Sequence, residues 1–208
     1  TAAVSAVSWS RDGKTLASAG YDNTVRLWNA DKGETLHTLK GHKAAVTDVA
    51  WSPNGKLLAS VGTDQTVRVW EPGDETCQVL EGHTGAVRVV AWSPAGNQLL
   101  SGGADQKVVV WDAKSGQAER TIDVARPVLA LACATIGSAM TLACGTTEEQ
   151  IQLINAAKGQ PLGMLRSGGS PPSVTALTWL PMGARLFAGR GCHTAQLWDA
   201  GTGKIVRS

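Results

Sequence analysis

The sequence predicts an all-β protein built from five consecutive copies of a four-stranded antiparallel unit. Two series of marker residues, consisting mostly of Trp, recur at nearly constant intervals along the 208-residue chain. Short alternating apolar segments lie between turns rich in Gly, Pro and Asn, a pattern that is typical of strands and excludes long helices. The composition agrees, because 24 Gly residues and 43% hydrophobic residues suit many tight turns around a sizeable core.

The two marker series define the length of the repeat. The first marker ends the third apolar segment of each unit, and successive copies lie 42, 41, 43 and 44 residues apart. The second marker lies near the start of each unit and is followed by Gly four residues later. The first series is Trp28, Trp70, Trp111, Ile154 and Trp198, and the second is Trp9, Trp51, Trp92, Cys133 and Trp179. Because two independent markers keep the same phase, the repeat is not a chance match.

The second unit illustrates the strands expected in every copy. Val46–Ser52 alternates apolar and polar residues, and the following Pro-Asn-Gly55 predicts a hairpin turn in which Gly has positive φ. The second, third and outer strands are predicted at Leu57–Val61, Val67–Glu71 and Thr76–Leu80. The innermost strands of the other units are predicted at Val4–Trp9, Val87–Ser93, Val128–Ala134 and Val174–Leu180. The units then span approximately residues 1–41, 42–82, 83–125, 126–169 and 170–208.

Two kinds of repeated dipeptide resemble the signatures of the WD-repeat family. Gly41-His42 and Gly82-His83 match its Gly-His dipeptide, whereas Trp111-Asp112 and Trp198-Asp199 match its Trp-Asp dipeptide. In that family each repeat forms one four-stranded blade, and the blades lie radially around a channel. The resemblance therefore implies five WD-type blades of a β-propeller over residues 1–208.

The five blades are expected to form part of a larger ring. Thr1 directly follows the place where the first Gly-His would stand, and the chain ends at Ser208 near the expected outer strand of the fifth unit. An open arc exposes the apolar faces of its first and last blades, which a stable soluble monomer rarely tolerates. We expect further blades of a longer parent protein, or neighbouring chains, to cover both ends.

The family resemblance also implies a buried hydrogen-bonded tetrad of His, Ser or Thr, Asp and Trp in each complete blade. In the second and third blades the His-to-Asp separation is 22 residues and the Asp-to-Trp separation is 6. The two complete sets are His42, Ser60, Asp64 and Trp70, and His83, Ser101, Asp105 and Trp111. The first blade keeps Ser18, Asp22 and Trp28 without a His, and the last two blades lack most of the network.

A Ser, a His and an Asp in one unit could also suggest a hydrolase. Catalysis needs an exposed nucleophile and an oxyanion site, whereas here the trio recurs from blade to blade, each time with an indole donor. A structural role is therefore the favoured interpretation. We expect no catalytic residues, and the chain is not expected to be an enzyme.

The remaining composition narrows the classes of ligand. The formal net charge is +2, too balanced to favour nucleic acid or an anionic membrane surface, and no apolar segment is long enough to span a bilayer. The four Cys show neither a disulfide framework nor metal-ligand spacing, so no cofactor is expected. Reduced thiols favour an intracellular location, cytoplasmic or nuclear.

The resemblance implies a partner-binding face where the innermost strands begin and the turns after the second strands end. Tyr and Arg are the residue types most often found at interface hot spots. The positions that match this face, or lie near its rim, are Tyr21, Thr47, Thr63, Arg88, Arg126, Thr175, Arg190 and His193. The alternative is an exposed Tyr and solvated Arg side chains with no partner.

The favoured function is a scaffold that docks partner subunits or peptides in a multiprotein assembly. The alternative is a regulatory or sensor propeller segment of a larger signalling protein or enzyme. In both cases the partners are other proteins, and the chain is expected to be a subunit of a larger complex.

Overall fold

A computed structural model shows five four-stranded antiparallel sheets that follow one another along the chain. The structure describes residues 2–74, 76–148, 150–166, 173–180, 184–191 and 194–208. Within each sheet, every strand is hydrogen-bonded to its neighbours in sequence. The sequence-based prediction of an all-β protein with five four-stranded units is confirmed.

The strand boundaries place four strands in each blade. The first blade contains β1 (Val4–Trp9), β2 (Thr15–Gly20), β3 (Thr24–Asn29) and β4 (Thr35–Lys40). The second contains β5 (Val46–Trp51), β6 (Leu58–Gly62), β7 (Val67–Trp70) and β8 (Cys77–Leu80). The third contains β9 (Val87–Trp92), β10 (Gln98–Gly103), β11 (Lys107–Asp112) and β12 (Ala118–Asp123). The fourth contains β13 (Val128–Ile136), β14 (Ala139–Thr146), β15 (Ile151–Asn155) and β16 (Gln160–Leu165). The fifth contains β17 (Val174–Trp179), β18 (Arg185–Arg190), β19 (Thr194–Asp199) and β20 (Lys204–Arg207).

In the first four blades, the first hairpin depends on the Gly that follows the second marker. Gly13, Gly55, Gly96 and Gly137 have φ between 62° and 72°, a region that Gly enters without steric cost. In the fourth blade the pairing of β13 with β14 continues up to this turn, and Ile136 pairs with Ala139. The innermost strand there is consequently two residues longer than predicted.

The core lies between neighbouring blades. The innermost strands pack in sequence, β1 on β5, β5 on β9, β9 on β13, and β13 on β17. The cluster between the first two blades shows the pattern, because Ala17 and Leu27 from one blade are buried with Val46 and Val49 from the next. Burial of such apolar surface between sheets is the main source of stability in a repeat fold.

The five blades form an open arc. Among the described residues, no packing of comparable extent joins β17 to β1, and Val4, Val7 and Trp9 of β1 are exposed. This arrangement fits a propeller that is part of a larger ring. The described part of the chain contains no helix with the length and apolarity that a membrane crossing needs.

Candidate functional site

The polar residues of the second blade form a continuous buried network. The Nδ1 atom of His42 lies 2.9 Å from Oδ2 of Asp64, and its Nε2 atom lies 2.8 Å from Oγ of Ser60. The indole Nε1 of Trp70 donates to the same Ser60 Oγ at 2.8 Å. Because a carboxylate can only accept, Nδ1–H donates to Asp64, and Nε2 of the neutral imidazole then accepts the hydroxyl proton of Ser60.

Burial sets the protonation of this network. Burial lowers the pKa of His42 below its usual value, although the neighbouring Asp64 carboxylate acts in the opposite direction. Burial also opposes ionisation of Asp64, but hydrogen bonds from the Lys43 backbone N–H and from Thr66, together with His42, lower the pKa of that carboxyl overall. A neutral imidazole beside a carboxylate follows at neutral pH.

The third blade repeats the same geometry. The Nδ1 atom of His83 lies 2.8 Å from Oδ2 of Asp105, and its Nε2 atom lies 2.8 Å from Oγ of Ser101. Trp111 Nε1 donates to Ser101 Oγ at 2.8 Å, and the backbone N–H of Thr84 donates to Asp105 at 3.1 Å. Each complete tetrad therefore joins the loop that enters a blade to the turn after its second strand.

The first blade keeps part of the network in a more exposed setting. Trp28 Nε1 donates to Ser18 Oγ at 2.8 Å, and Arg26 Nη2 lies 3.1 Å from Asp22 Oδ2. A hydrogen bond from the Thr24 hydroxyl, with a smaller contribution from Arg26, lowers the pKa of Asp22. The Asp22 side chain is 32% exposed, so this site is screened by water where the complete tetrads are not.

The fourth and fifth blades replace hydrogen bonds with apolar packing. Cys144 occupies the Ser position and Ile154 the Trp position, and both are buried. Trp198 is also buried, and its Nε1 has no hydrogen-bond partner among the residues that the structure describes. The described residues of these two blades form no complete tetrad, although an exposed ion pair between Arg126 and Glu148 has the same 22-residue separation in the fourth blade.

The buried Ser hydroxyls do not have the geometry of a nucleophile. Ser60 and Ser101 are 0% exposed, and each hydroxyl is bonded to an indole and an imidazole. A hydrolytic substrate could not reach either oxygen without unfolding the blade.

The partner-face positions fall into three groups in the structure. Tyr21, Thr63, Arg88, Arg126 and Thr175 are exposed, and the Nε atom of Arg126 lies 2.7 Å from Glu148 Oε1. Thr47 and Arg190 are largely covered. His193 lies outside the described residues.

Two partner-face positions differ from the expectation. Thr47 is half-buried, because its Oγ1 donates to Val87 O at 2.6 Å and approaches Val61 O at 3.1 Å. Arg190 is only 5% exposed. Contacts within and between blades occupy the Thr47 hydroxyl, and the Arg190 side chain is buried, so neither presents its polar group on an open surface as expected.

The innermost strands of all five blades line one central channel of about 380 Å³. Ser5, Thr47, Arg88, Leu129 and Thr175 occupy the same strand position in successive blades and all line it. Arg88 is the exposed cation among these five. The channel mouth therefore combines three hydroxyl side chains and one Leu with a single exposed Arg.

Sequence reasoning missed a buried carboxyl in the channel wall. Asp48 Oδ1 accepts from the Val49 N–H at 2.8 Å, and Oδ2 accepts from the Val90 N–H of the next blade at 2.9 Å. Burial raises the pKa of Asp48 to about 6. The sequence did offer one indication of this carboxyl, because the other four blades carry Ala or Val at the same strand position. Both oxygens bind backbone amides, so this carboxyl links two blades.

Metal coordination has no support in the described parts of the chain, where no group of three or more His, Cys, Asp or Glu side chains could hold an ion.

Comparison with known families gives one result that covers almost the whole chain. A family model described as the IFT122 first β-propeller matches residues 3–208. No curated protein matches the chain significantly.

Proposed function

Because the chain belongs to the family of the IFT122 first β-propeller, we propose that it is a protein-interaction scaffold that docks partner subunits or peptides at the channel mouth. The observation that carries this proposal is the separation of buried and exposed polar groups. The His, Ser and Asp side chains of the complete tetrads are buried, whereas Tyr21 is 57% exposed and Arg88 is an exposed residue of the channel lining.

The turn that carries Tyr21 supports a binding role. Its backbone N–H donates to Ala3 O at 3.0 Å, and the equivalent N–H of Thr63 donates to Ala45 O at 2.9 Å. These contacts fix the turns before any partner arrives. A fixed surface loses little conformational entropy on binding, which favours affinity, and Tyr and Arg are frequent hot-spot residues.

The same features argue against an enzymatic function. The one described carboxyl whose pKa is strongly raised, Asp48, has both oxygens on backbone amides. Neither this carboxyl nor the tetrad hydroxyls are paired with an accessible nucleophile or base. Binding, rather than catalysis, is the activity that this surface supports.

A regulatory or sensor segment of a larger protein is the second candidate. It is favoured by the description of the matching family model, which calls its region the first propeller. We place the protein inside the cell, cytoplasmic or nuclear, because the described Cys77, Cys133 and Cys144 are free thiols.

The proposal can be tested by affinity capture from cell extract followed by mass spectrometry. Tyr21→Ala and Arg88→Glu should remove the partners that the unmodified chain captures, while thermal unfolding stays unchanged. Lys56→Glu is the matched control, because it reverses an exposed charge at the β5–β6 turn, at the opposite end of the blade. The scaffold proposal fails at this face if all three variants capture the same partners as the unmodified chain.

A further inference from the structure

An open groove lies between the second and third blades, at the end of the blades opposite the channel mouth. Its volume is about 660 Å³, within the range of about 300–1,000 Å³ that is usual for ligand sites. Each of the two flanking blades also packs on a further blade, so the groove is enclosed by neighbours on both sides. We call it the second groove, and the lining residues that define it here are Leu57, Val69, Glu71, Thr76, Gln78 and Ala113.

The floor of the second groove is apolar. Val69 and Ala113 are buried and Leu57 is half-buried, and all three belong to the apolar cluster between the two blades. At the outer strand, Gln78 Nε2 donates to Ser115 O at 2.7 Å and joins β8 to the turn after β11. The groove is therefore formed before any partner binds, which limits the entropy lost on binding.

The equivalent groove between the first and second blades is built differently. It is smaller, at about 480 Å³, and Thr15 lines it where Leu57 lines the second groove. Arg11 Nη1 donates to Pro53 O at 2.9 Å and so bridges the two blades there. In the second blade, Pro53 itself occupies the place of Arg11, and its side chain has no donor. The second groove consequently has no such bridge from this position and a more apolar wall.

Glu71 departs from the repeat at the rim of the second groove. The same position in the other four blades holds Asn29, Asp112, Asn155 and Asp199. Each of these side chains accepts a backbone N–H of its own turn, at 2.7 to 3.0 Å. Glu71 is exposed, and its carboxylate forms no hydrogen bond or ion pair with another residue that the structure describes. This carboxylate is therefore not used by its turn and is available to a ligand.

The hairpin that carries Glu71 also differs from the others. The pairing of the third and outer strands shifts register beside the first marker in every other blade, whereas β7 pairs with β8 without a shift. In the first blade, Asn29 N–H donates to Glu34 O at 2.8 Å and closes the hairpin. No such bond joins Glu71 N–H to Thr76 O, although both residues are described. A main-chain donor and acceptor are thus left for the backbone of a partner.

The charges near the groove favour a cationic ligand. Hydrogen bonds from the Ser115 backbone and hydroxyl, with a smaller contribution from Lys114, lower the pKa of Asp112. Asp112 and Lys114 therefore compensate each other within one turn, whereas no described cation lies within ion-pair distance of Glu71. The uncompensated charge at the rim is negative, and a Lys or Arg side chain complements it.

We propose that the second groove binds an extended peptide segment of a partner protein in which an apolar residue stands next to Lys or Arg. The apolar side chain lies on Leu57 and Val69, and the cation pairs with Glu71. The peptide backbone bonds to the open end of the hairpin at Thr76. This site goes beyond the scaffold function proposed for the channel mouth and does not depend on it, because the two surfaces lie at opposite ends of the blades.

Peptide selection followed by charge reversal tests the proposal. A phage-displayed library of random dodecapeptides, selected on the immobilised chain, should enrich sequences with an apolar residue beside Lys or Arg. Isothermal titration calorimetry then measures synthetic forms of the enriched peptides. Glu71→Lys should weaken their binding at least tenfold, and a peptide with Glu in place of its basic residue should bind this variant better than it binds the unmodified chain. Leu57→Thr, which introduces the residue of the first blade, should also weaken binding at least tenfold.

Glu34→Lys is the matched control, because it makes the same change at an exposed Glu in the corresponding turn of the first blade. This variant should bind the peptides like the unmodified chain. If Leu57→Thr fails to fold by circular dichroism, Glu71→Lys at its exposed position still decides the test.

Three results would overturn the proposal. The selection could enrich no peptide with a basic residue, the enriched peptides could bind Glu71→Lys as tightly as the unmodified chain, or Glu71→Lys and Glu34→Lys could weaken binding equally. Peptides that lose binding in Tyr21→Ala or Arg88→Glu but not in Glu71→Lys belong to the channel mouth. That result would support the scaffold function and overturn the second groove as a peptide site.

Discussion

The Nδ1 atom of His42 lies 2.9 Å from Oδ2 of Asp64, and the two side chains are 1% and 4% exposed. Asp64 also accepts the backbone N–H of Lys43 at 2.8 Å. One carboxylate therefore holds both the imidazole and the backbone of the loop that enters the second blade. Its removal leaves the buried Nδ1–H of His42 without a partner, which is more costly than loss of an exposed hydrogen bond.

The first prediction compares this carboxylate with its counterpart in the first blade. Asp64→Ala should lower the free energy of unfolding by about 1–3 kcal/mol. Asp22→Ala removes a side chain that is 32% exposed and should cost less than about 1 kcal/mol, because water replaces the lost partners. Urea denaturation of both variants measures this difference. Equal losses in the free energy of unfolding would contradict a stabilising role for the buried tetrad.

The tetrad could be predicted from sequence because all its members belong to one repeat. The separations of 22 and 6 residues place His42, Asp64 and Trp70 at fixed positions in a blade once the four-strand pattern is known. Contacts between blades have no such local signal. The hydroxyl of Thr47 donates to a residue 40 positions away, so its burial depends on how two sheets pack.

For the same reason, the burial of Asp48 and the exposure of Val4 could not be predicted from one repeat. An acidic residue in a short strand is normally predicted to face water. The Val90 N–H that donates to Asp48 belongs to the next blade, so a single repeat does not reveal it. Val4 and Val46 stand at the same place in their repeats, yet they are 61% and 0% exposed. The repeat pattern determines which face is apolar, and the arrangement of neighbouring blades determines whether that face is covered.

The second prediction concerns the pH dependence that Asp48 imposes. Burial raises the pKa of this carboxyl from 3.8 to about 6 in the folded protein. Between about pH 4 and pH 6 the folded state therefore binds more protons than the unfolded state, and the free energy of unfolding falls as pH rises. The contribution of this residue amounts to at most about 3 kcal/mol, since one pKa unit corresponds to about 1.4 kcal/mol.

Asp48→Asn removes this titration and tests the sign. The variant should gain stability relative to the unmodified chain as pH rises from 4 to 6, and the difference should then level off. Urea denaturation at several pH values measures the difference, in which the titration of His42 and other shared groups cancels. A stability difference that stays constant across this range would contradict the buried position of the carboxyl.

The third prediction uses the close approach of two strands in the third blade. A Cβ atom on Gly103 would overlap the carbonyl oxygen of Ala86 and lie 2.9 Å from Cα of Val87. Gly103→Ala should therefore force β9 and β10 apart and cost about 1–3 kcal/mol. At Gly163 in the outer strand β16, a Cβ meets no atom within 4 Å, so Gly163→Ala should change stability by less than about 0.5 kcal/mol. Similar thermal unfolding of both variants would disprove the steric argument.

The last prediction concerns the thiols. Burial raises the pKa of both Cys133 and Cys144 to about 12, and the thiolate is the reactive form. Cys77 is half-buried in the outer strand β8. In a Cys192→Ser background, which removes the fourth thiol, Ellman's reagent at pH 8 should modify one Cys in the native protein and three after denaturation. Cys77→Ser should abolish the native reaction, whereas Cys144→Ser should leave it unchanged. Rapid native modification of the buried Cys144 would show that the fourth blade opens to solvent on the timescale of the reaction.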